Sequence, residues 1–454
     1  MQLDYSKQKK TDNLVEIKSA FQAATKADKN IFSSPKNDRR GYAHSLFQYP
    51  AMMVPEVQKQ IIQLIKQNDS SVKEVLDPYV GAGTTITASM RCGLNATGQD
   101  INPLAVLVSR AKTDLSWSEE ELLFSFDNVV ARAKADKNLD VDVDFPNRTK
   151  WFKLSVSREL SKLRRAIQKQ SSRAIRQVLW VALAETIRLT SNDRTSTYKL
   201  HARPKNEISS RKLPPIEVFN DVARNYVVDL TKYKQTLEAE GLIKGGKYTG
   251  KVNILLSDTA KGIGSKKKFD LIITSPPYGD NLTTITYGQH AYLPLQWIDH
   301  NDIDENIDAQ VLRSTQEIDR RSIGGKSAIR DEIKKKIKEL SSRSATLKRT
   351  FDKLKDKPVD RIAKVIGFFD DFFVALDKIT ESLAENGYMV WTIGNRRVND
   401  IEIPNDKILI DALKNHNVNL IIEETREIHN KRMPRKNQTS RLMRSEKILV
   451  FKKG

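Results

Sequence analysis

Ser275-Pro276-Pro277-Tyr278 closes the apolar run Phe269-Asp270-Leu271-Ile272-Ile273-Thr274. Two prolines fix φ and bring no N–H, so the chain at the end of that strand is rigid. The Ser275 hydroxyl and the Pro276 carbonyl remain as acceptors, a pair matched to the two hydrogens of an aromatic amino group. Such hydrogen bonds draw the nitrogen lone pair out of conjugation and aim it at an electrophile. Tyr278 adds a ring on which a planar substrate can stack. A second constellation lies upstream, in Asp77-Pro78-Tyr79-Val80-Gly81-Ala82-Gly83-Thr84-Thr85 and in Gly98-Gln99-Asp100-Ile101-Asn102-Pro103. Glycines at a strand-to-helix turn let the backbone approach a ligand, and the helix N-terminus adds a partial positive charge. Asp100, roughly 20 residues on, suits a ribose diol, because a carboxylate accepts both hydroxyl protons.

These residues need elements to position them. Val72–Asp77 reads as a buried strand, followed by a helix through Ala88, Met90 and Cys92 that Gly93 ends, and then by a strand over Ala96–Asp100. That is one βαβ unit. It is not a dinucleotide site, since Ile86 stands where G-x-G-x-x-G needs its third glycine, and not a P-loop, since no lysine follows Gly83. Val252–Asp258 reads as a further strand ending in an acid. Residues 368–398 read as an amphipathic helix, a turn at Gly387, the strand Tyr388–Ile393 and the loop Gly394-Asn395-Arg396. Leu420-Ile421-Ile422 and Ile448-Leu449-Val450-Phe451 read as a closing hairpin, and Cys92 as a small core residue.

The string from Asp77 resembles motif I of the S-adenosylmethionine-dependent amino-methyltransferases, and Ser-Pro-Pro-Tyr resembles their motif IV in the form typical of DNA N4-cytosine enzymes. Tyr49-Pro50-Ala51-Met52-Met53-Val54-Pro55 looks like motif X, which closes over the methionine end of the cofactor. The resemblance implies an α/β fold, a Rossmann-like seven-stranded methyltransferase sheet with a C-terminal antiparallel hairpin, here carrying largely helical insertions. It implies S-adenosyl-L-methionine as cofactor, contacted by Phe47, Tyr49, Asp77, Tyr79, Gly81, Gly83, Thr84, Asp100 and Ile101, with Asp258 accepting from the adenine amino group. Ser275, Pro276, Pro277 and Tyr278 are then catalytic, acting on a base flipped out of a duplex, with no metal. N6-adenine methylation in DNA has the same chemistry and is the nearest alternative. An RNA guanine-N2 methyltransferase and a DNA-binding subunit without activity are more distant ones.

Motif I precedes motif IV, so the core is not circularly permuted. It is expected over 1–112, 251–300 and 361–454, interrupted by a helical insert at 113–250, the candidate recognition region, and a charged helical insert at 301–360. In the first insert Leu160, Leu163 and Ile167 recur at the helical period, with Arg158, Lys162, Arg164, Arg165, Lys169, Arg173 and Arg176 on other faces. Lys+Arg exceed Asp+Glu by 77 to 57 in 454 residues, a net charge of +20 that a polyanion attracts. Together with the resemblance to DNA N4-cytosine enzymes, that charge makes double-stranded DNA the expected partner, and a cognate restriction endonuclease an associated one. The segment Arg188–Lys199, with Arg194 and Lys199, and the basic loop with Lys431, Arg432 and Arg435 are the expected DNA contacts. No apolar run approaches the roughly 20 residues of a membrane helix, and the first residues have no apolar core of a signal peptide. One cysteine excludes an internal disulfide and a cysteine-based metal site. A cytoplasmic location is expected.

Overall fold

A computed structural model describes residues 2–33, 41–428 and 445–454, with side chains from residue 13 onward. Seven strands form one sheet. They are β1 (Glu74–Asp77), β2 (Asn95–Asp100), β3 (Val252–Leu256), β4 (Phe269–Thr274), β5 (Leu383–Ile393), β6 (Val418–Glu427) and β7 (Ser445–Lys453). Their order across the sheet is β6-β7-β5-β4-β1-β2-β3. The five strands from β5 to β3 run parallel, and β7 and β6 are antiparallel additions at one edge. Five of the six residues of β4 are buried, as expected of a parallel strand covered on both faces. The chain leaves β1 toward β2 on one side and reaches β4 on the other. In open α/β sheets ligands bind outside the carboxyl ends of the strands at such a switch point.

The fold is thus the seven-stranded methyltransferase architecture that the motifs imply. Strand positions agree in all but detail. β1 begins two residues later than expected. Gly387 lies not in a turn before β5 but in an irregularity within it, where Phe269 pairs with Leu383 and Leu271 with Tyr388. Asn386 takes up the distortion in the left-handed region, at φ 64°.

Helices cover both faces: α1 (Pro55–Asn68), α2 (Thr84–Arg91), α3 (Pro103–Thr113), α4 (Arg173–Thr190), α5 (Tyr287–Trp297), α6 (Val359–Ser382) and α7 (Asn405–Lys414). None of the described helices is long and apolar enough to cross a membrane. Residues 113–250 are largely helical, but they do not stand apart, because Leu160, Trp180 and Phe219 share one apolar cluster with Ile86 and Leu104. Several of the cations on this insert are spent on structure. Arg165 pairs with Asp136 at 2.8 Å and with Asp142, and Arg176 with Asp302 at 2.7 Å. Residues 301–360 hold more apolar contact than their composition implies, since Leu340, Leu347, Phe351 and Leu354 are buried in one cluster with Phe369 of α6 and Leu409 of α7. Lys336 pairs there with Asp370 at 2.9 Å, and Arg343 with Asp377 at 2.5 Å.

Candidate active site

The turn between β1 and α2 is fixed from beneath and from the side. Asp77 is fully buried, and its Oδ1 accepts from the Tyr79 N–H at 3.1 Å and from the Thr274 hydroxyl at 2.6 Å. It therefore ties the end of β1 to the end of β4 under the site, rather than facing a ligand as the motif led us to expect. Burial pushes its carboxyl up to about 6, against the pull of the Thr274 hydroxyl. Gly83 stands at φ 77°, and a Cβ there would come within 3.0 Å of the Ser109 hydroxyl oxygen. That hydroxyl donates to the Gly81 carbonyl at 3.0 Å. The fully buried Lys112, whose ammonium burial lowers to about 7, donates to the Ala82 carbonyl at 2.8 Å. His44 Nε2 and the Thr84 hydroxyl are 3.0 Å apart. Only a glycine fits so close a backbone approach without strain.

Asp100 ends β2 with one oxygen accepting from the Gly81 N–H at 3.0 Å and the other from the Asn102 N–H at 2.9 Å. Burial raises its carboxyl to about 6, and those backbone donors oppose the shift. Asn102 caps α3 through the Leu104 N–H and donates to the Tyr49 hydroxyl at 3.1 Å. Asp258 caps a short turn after β3 through the Ala260 N–H at 3.0 Å.

Tyr49, Tyr79, Gly81, Thr84, Asp100, Ile101 and Asp258 line one cavity, and Ser275 and Pro277 line the same cavity from its other end. The space it encloses is about 880 Å³, part of it open to solvent. Asp77, Gly83 and Phe47 do not line it. Phe47 is fully buried in the core, its ring 5.4 Å from that of His290, so the expected aromatic contact falls to Tyr49 alone. Sequence reading missed other wall residues: Asn281, Tyr287, Ile318, Ser322 and Ile323. Tyr287 stacks on Tyr49 at 5.7 Å, and Asp319 holds the start of α5 by accepting from the Gly288 N–H at 2.8 Å. The charged insert thus supplies part of the wall through Ile318, Ser322 and Ile323. Two buried polar atoms on it, the Tyr79 hydroxyl and Asn281 Oδ1, have no partner among the described residues. Orphaned buried polar groups of this kind fit a polar ligand such as an adenosyl group. A larger groove of about 1640 Å³ runs along the outer edge of β3 beside Arg110, Arg173, Lys247, Asp304 and Glu305, and contains none of the motif residues.

At the catalytic end the Ser275 and Tyr278 hydroxyls are 3.1 Å apart. The Tyr278 hydroxyl also donates to Glu446 at 3.0 Å and lies 3.4 Å from the Thr392 carbonyl. Tyr278 is not among the residues lining the cavity, so in this structure its hydroxyl, bound to those neighbours, is its link to the site. The following loop is pinned by Asp280, which accepts from Arg396 at 3.3 Å and from the Thr283 hydroxyl at 2.6 Å.

Arg194 and Lys199 are exposed on a loop that packs against the start of α5. The Tyr198 carbonyl accepts from the Thr286 hydroxyl at 3.2 Å, the Leu200 N–H donates to Gln289 at 3.2 Å, and the Tyr198 ring meets His290 at 5.6 Å. Arg188 is withdrawn from that surface by its pair with Glu185 at 2.5 Å. Glu185 sits three residues before it, a spacing that the sequence displays. Lys431, Arg432 and Arg435 lie outside the described residues.

Comparison with known proteins shows the family. The chain is 31% identical to the type II methyltransferase M.MvaI of Kocuria varians over 438 residues, covering 90% of each chain. It is 24% identical over 136 residues to the type II methyltransferase M.MjaII of Methanocaldococcus jannaschii, covering 28% of this chain and 25% of that one. No family model matches.

Proposed function

The chain belongs to the type II DNA methyltransferases, and from that premise we propose that it transfers a methyl group from S-adenosylmethionine to the N4 amino group of cytosine within a specific duplex site. The observation that carries the reading is the single cavity shared by Asp100, Asp258, Ser275 and Pro277. Asp100 holds the ribose hydroxyls and Asp258 the adenine amino group, while the turn from Tyr79 to Thr84 and Tyr49 enclose the rest. S-adenosylmethionine supplies a methyl carbon made electrophilic by its sulfonium. A flipped cytosine presents its NH2 to the Ser275 hydroxyl oxygen and the Pro276 carbonyl, which leaves the lone pair directed along the line of attack. The methylated nitrogen, cationic once the new bond forms, gives its extra proton to water late, so no general base of unusual pKa is needed.

The Ser form of the Pro-Pro-aromatic turn supports cytosine over adenine. The loop with Arg194 and Lys199 packs against the start of α5, whose Tyr287 lines the cavity, and is the proposed recognition element, with Lys431, Arg432 and Arg435 contacting the DNA backbone. Such an enzyme works in the cytoplasm beside a restriction endonuclease of the same specificity. Duplex DNA incubated with the protein and methyl-labelled cofactor, digested and resolved by nucleoside mass spectrometry, tests the reading. Labelled N4-methylcytosine is expected. Labelled N6-methyladenine overturns the base assignment, and label found only in RNA overturns the substrate class.

A further inference from the structure

A serine hydroxyl is an ambiguous acceptor. It carries one proton and two lone pairs, and nothing in Ser275 itself decides which of them meets the target amino group. Were the proton to face that nitrogen, it would occupy the lone pair that has to attack.

The surroundings remove the ambiguity. Tyr278 has one hydroxyl proton. Its neighbours on the far side are the Glu446 carboxylate at 3.0 Å and the Thr392 backbone carbonyl at 3.4 Å. Both are acceptors only. Glu446 is largely buried and is paired with the Arg426 guanidinium at 3.4 Å. The Tyr278 proton is therefore committed away from Ser275. The 3.1 Å contact between the two hydroxyls must then take its proton from Ser275.

Resting on the amino-methylation reading above, we propose that Glu446 and Tyr278 are positioning residues that set the polarity of this hydrogen-bond chain. They turn the Ser275 proton away from the base, so that only lone pairs of its oxygen face the amino group. The chain runs from the target N–H to Ser275, from the Ser275 O–H to Tyr278, and from the Tyr278 O–H to Glu446. Each link donates in one direction, and a chain of aligned bonds strengthens its members. A serine anchored in this way does the work of a carboxylate or carboxamide oxygen.

Tyr278→Phe keeps the ring and deletes the link, while Glu446→Gln substitutes a group that can donate back to Tyr278. Both variants are measured in the full-length protein for kcat, for KM on duplex DNA and for cofactor affinity by calorimetry. Each single variant is expected to lose about tenfold in kcat, with KM and cofactor affinity within about twofold of wild type. The double variant should be no slower than Tyr278→Phe alone, because one chain is cut in both. Wild-type kcat in Tyr278→Phe, losses that multiply in the double variant, or losses confined to KM overturn the proposal. A wild-type protein that methylates no DNA base overturns the underlying reading instead, and the two failures are thereby distinguished.

Discussion

Asp100 is held by N–H groups 19 and two residues away, whereas Tyr278 is held by Glu446, 168 residues further along the chain. Apart from Tyr49, the cofactor end of the cavity is assembled from short turns, each attached to the strand it follows. The catalytic end is assembled from the turn after β4 and from Glu446 on the last strand, while the start of α5 and the charged insert close the wall beside Tyr49. Turn chemistry is local and shows in the residue types. Long-range assembly leaves no such mark, so one end of the same cavity is far more legible than the other.

If the division of labour is real, the two ends fail differently when cut. Ser275→Ala should lower kcat by about 10²–10³, the size of losing one preorganised hydrogen-bonding group, with cofactor affinity unchanged. A Ser275→Ala variant that turns over normally would merge the two regions into one binding surface and remove the turn from the chemistry. Asp100→Ala should do the reverse and weaken cofactor binding by about 1–3 kcal/mol, read by calorimetric titration without DNA. Unchanged affinity moves the cofactor elsewhere.

The cofactor end should also answer to pH. Burial raises Asp100 to about 6 in the free protein, so the carboxylate proposed to accept the two ribose hydroxyls is present above that pH and lost below it. Cofactor affinity is expected to fall between pH 7 and pH 5. Asp77 titrates in the same range, so Asp100→Asn is the reference, and its pH dependence should be shallower than that of wild type. Equal slopes in the two proteins would assign the effect to Asp77.

The division is legible only where a residue's neighbours in sequence are also its neighbours in space. Asp77, Gly81, Gly83 and Asp100 announce a ligand site, because a β-turn-α geometry demands them at that spacing. Which of them faces the ligand is not written there, and Asp77 turns inward to Thr274. Phe47 and Tyr49 lie two residues apart and look equivalent, yet one is core and the other wall. The insert at 301–360 reads as charged and solvated because the residues that matter are few: Ile318, Ser322 and Ile323 on the wall, and Asp319 beneath α5.

Asp319 gives a way to sharpen that last point. Its replacement by alanine strands the Gly288 N–H in a buried site, which should cost about 1–3 kcal/mol of stability. A few degrees of lost thermal midpoint, recovered in part by added cofactor, are expected from differential scanning calorimetry. A midpoint equal to wild type would detach the insert from the cavity wall. The smallest effect belongs to the recognition loop. If Arg194 neutralises a phosphate, Arg194→Ala lowers the slope of log affinity against log salt by about 1; if it reads a base, the slope stays and sequence preference relaxes at one position. Neither change would take the loop out of the interface.

The two ends are claimed to be one site, and the position of the bound cofactor product tests that claim most directly. Diffraction from crystals grown with S-adenosylhomocysteine should show its ribose at Asp100, its adenine edge at Asp258 and its sulfur turned toward Ser275. Density in the groove beside Arg110 and Arg173, or a sulfur facing away from Ser275, would contradict it.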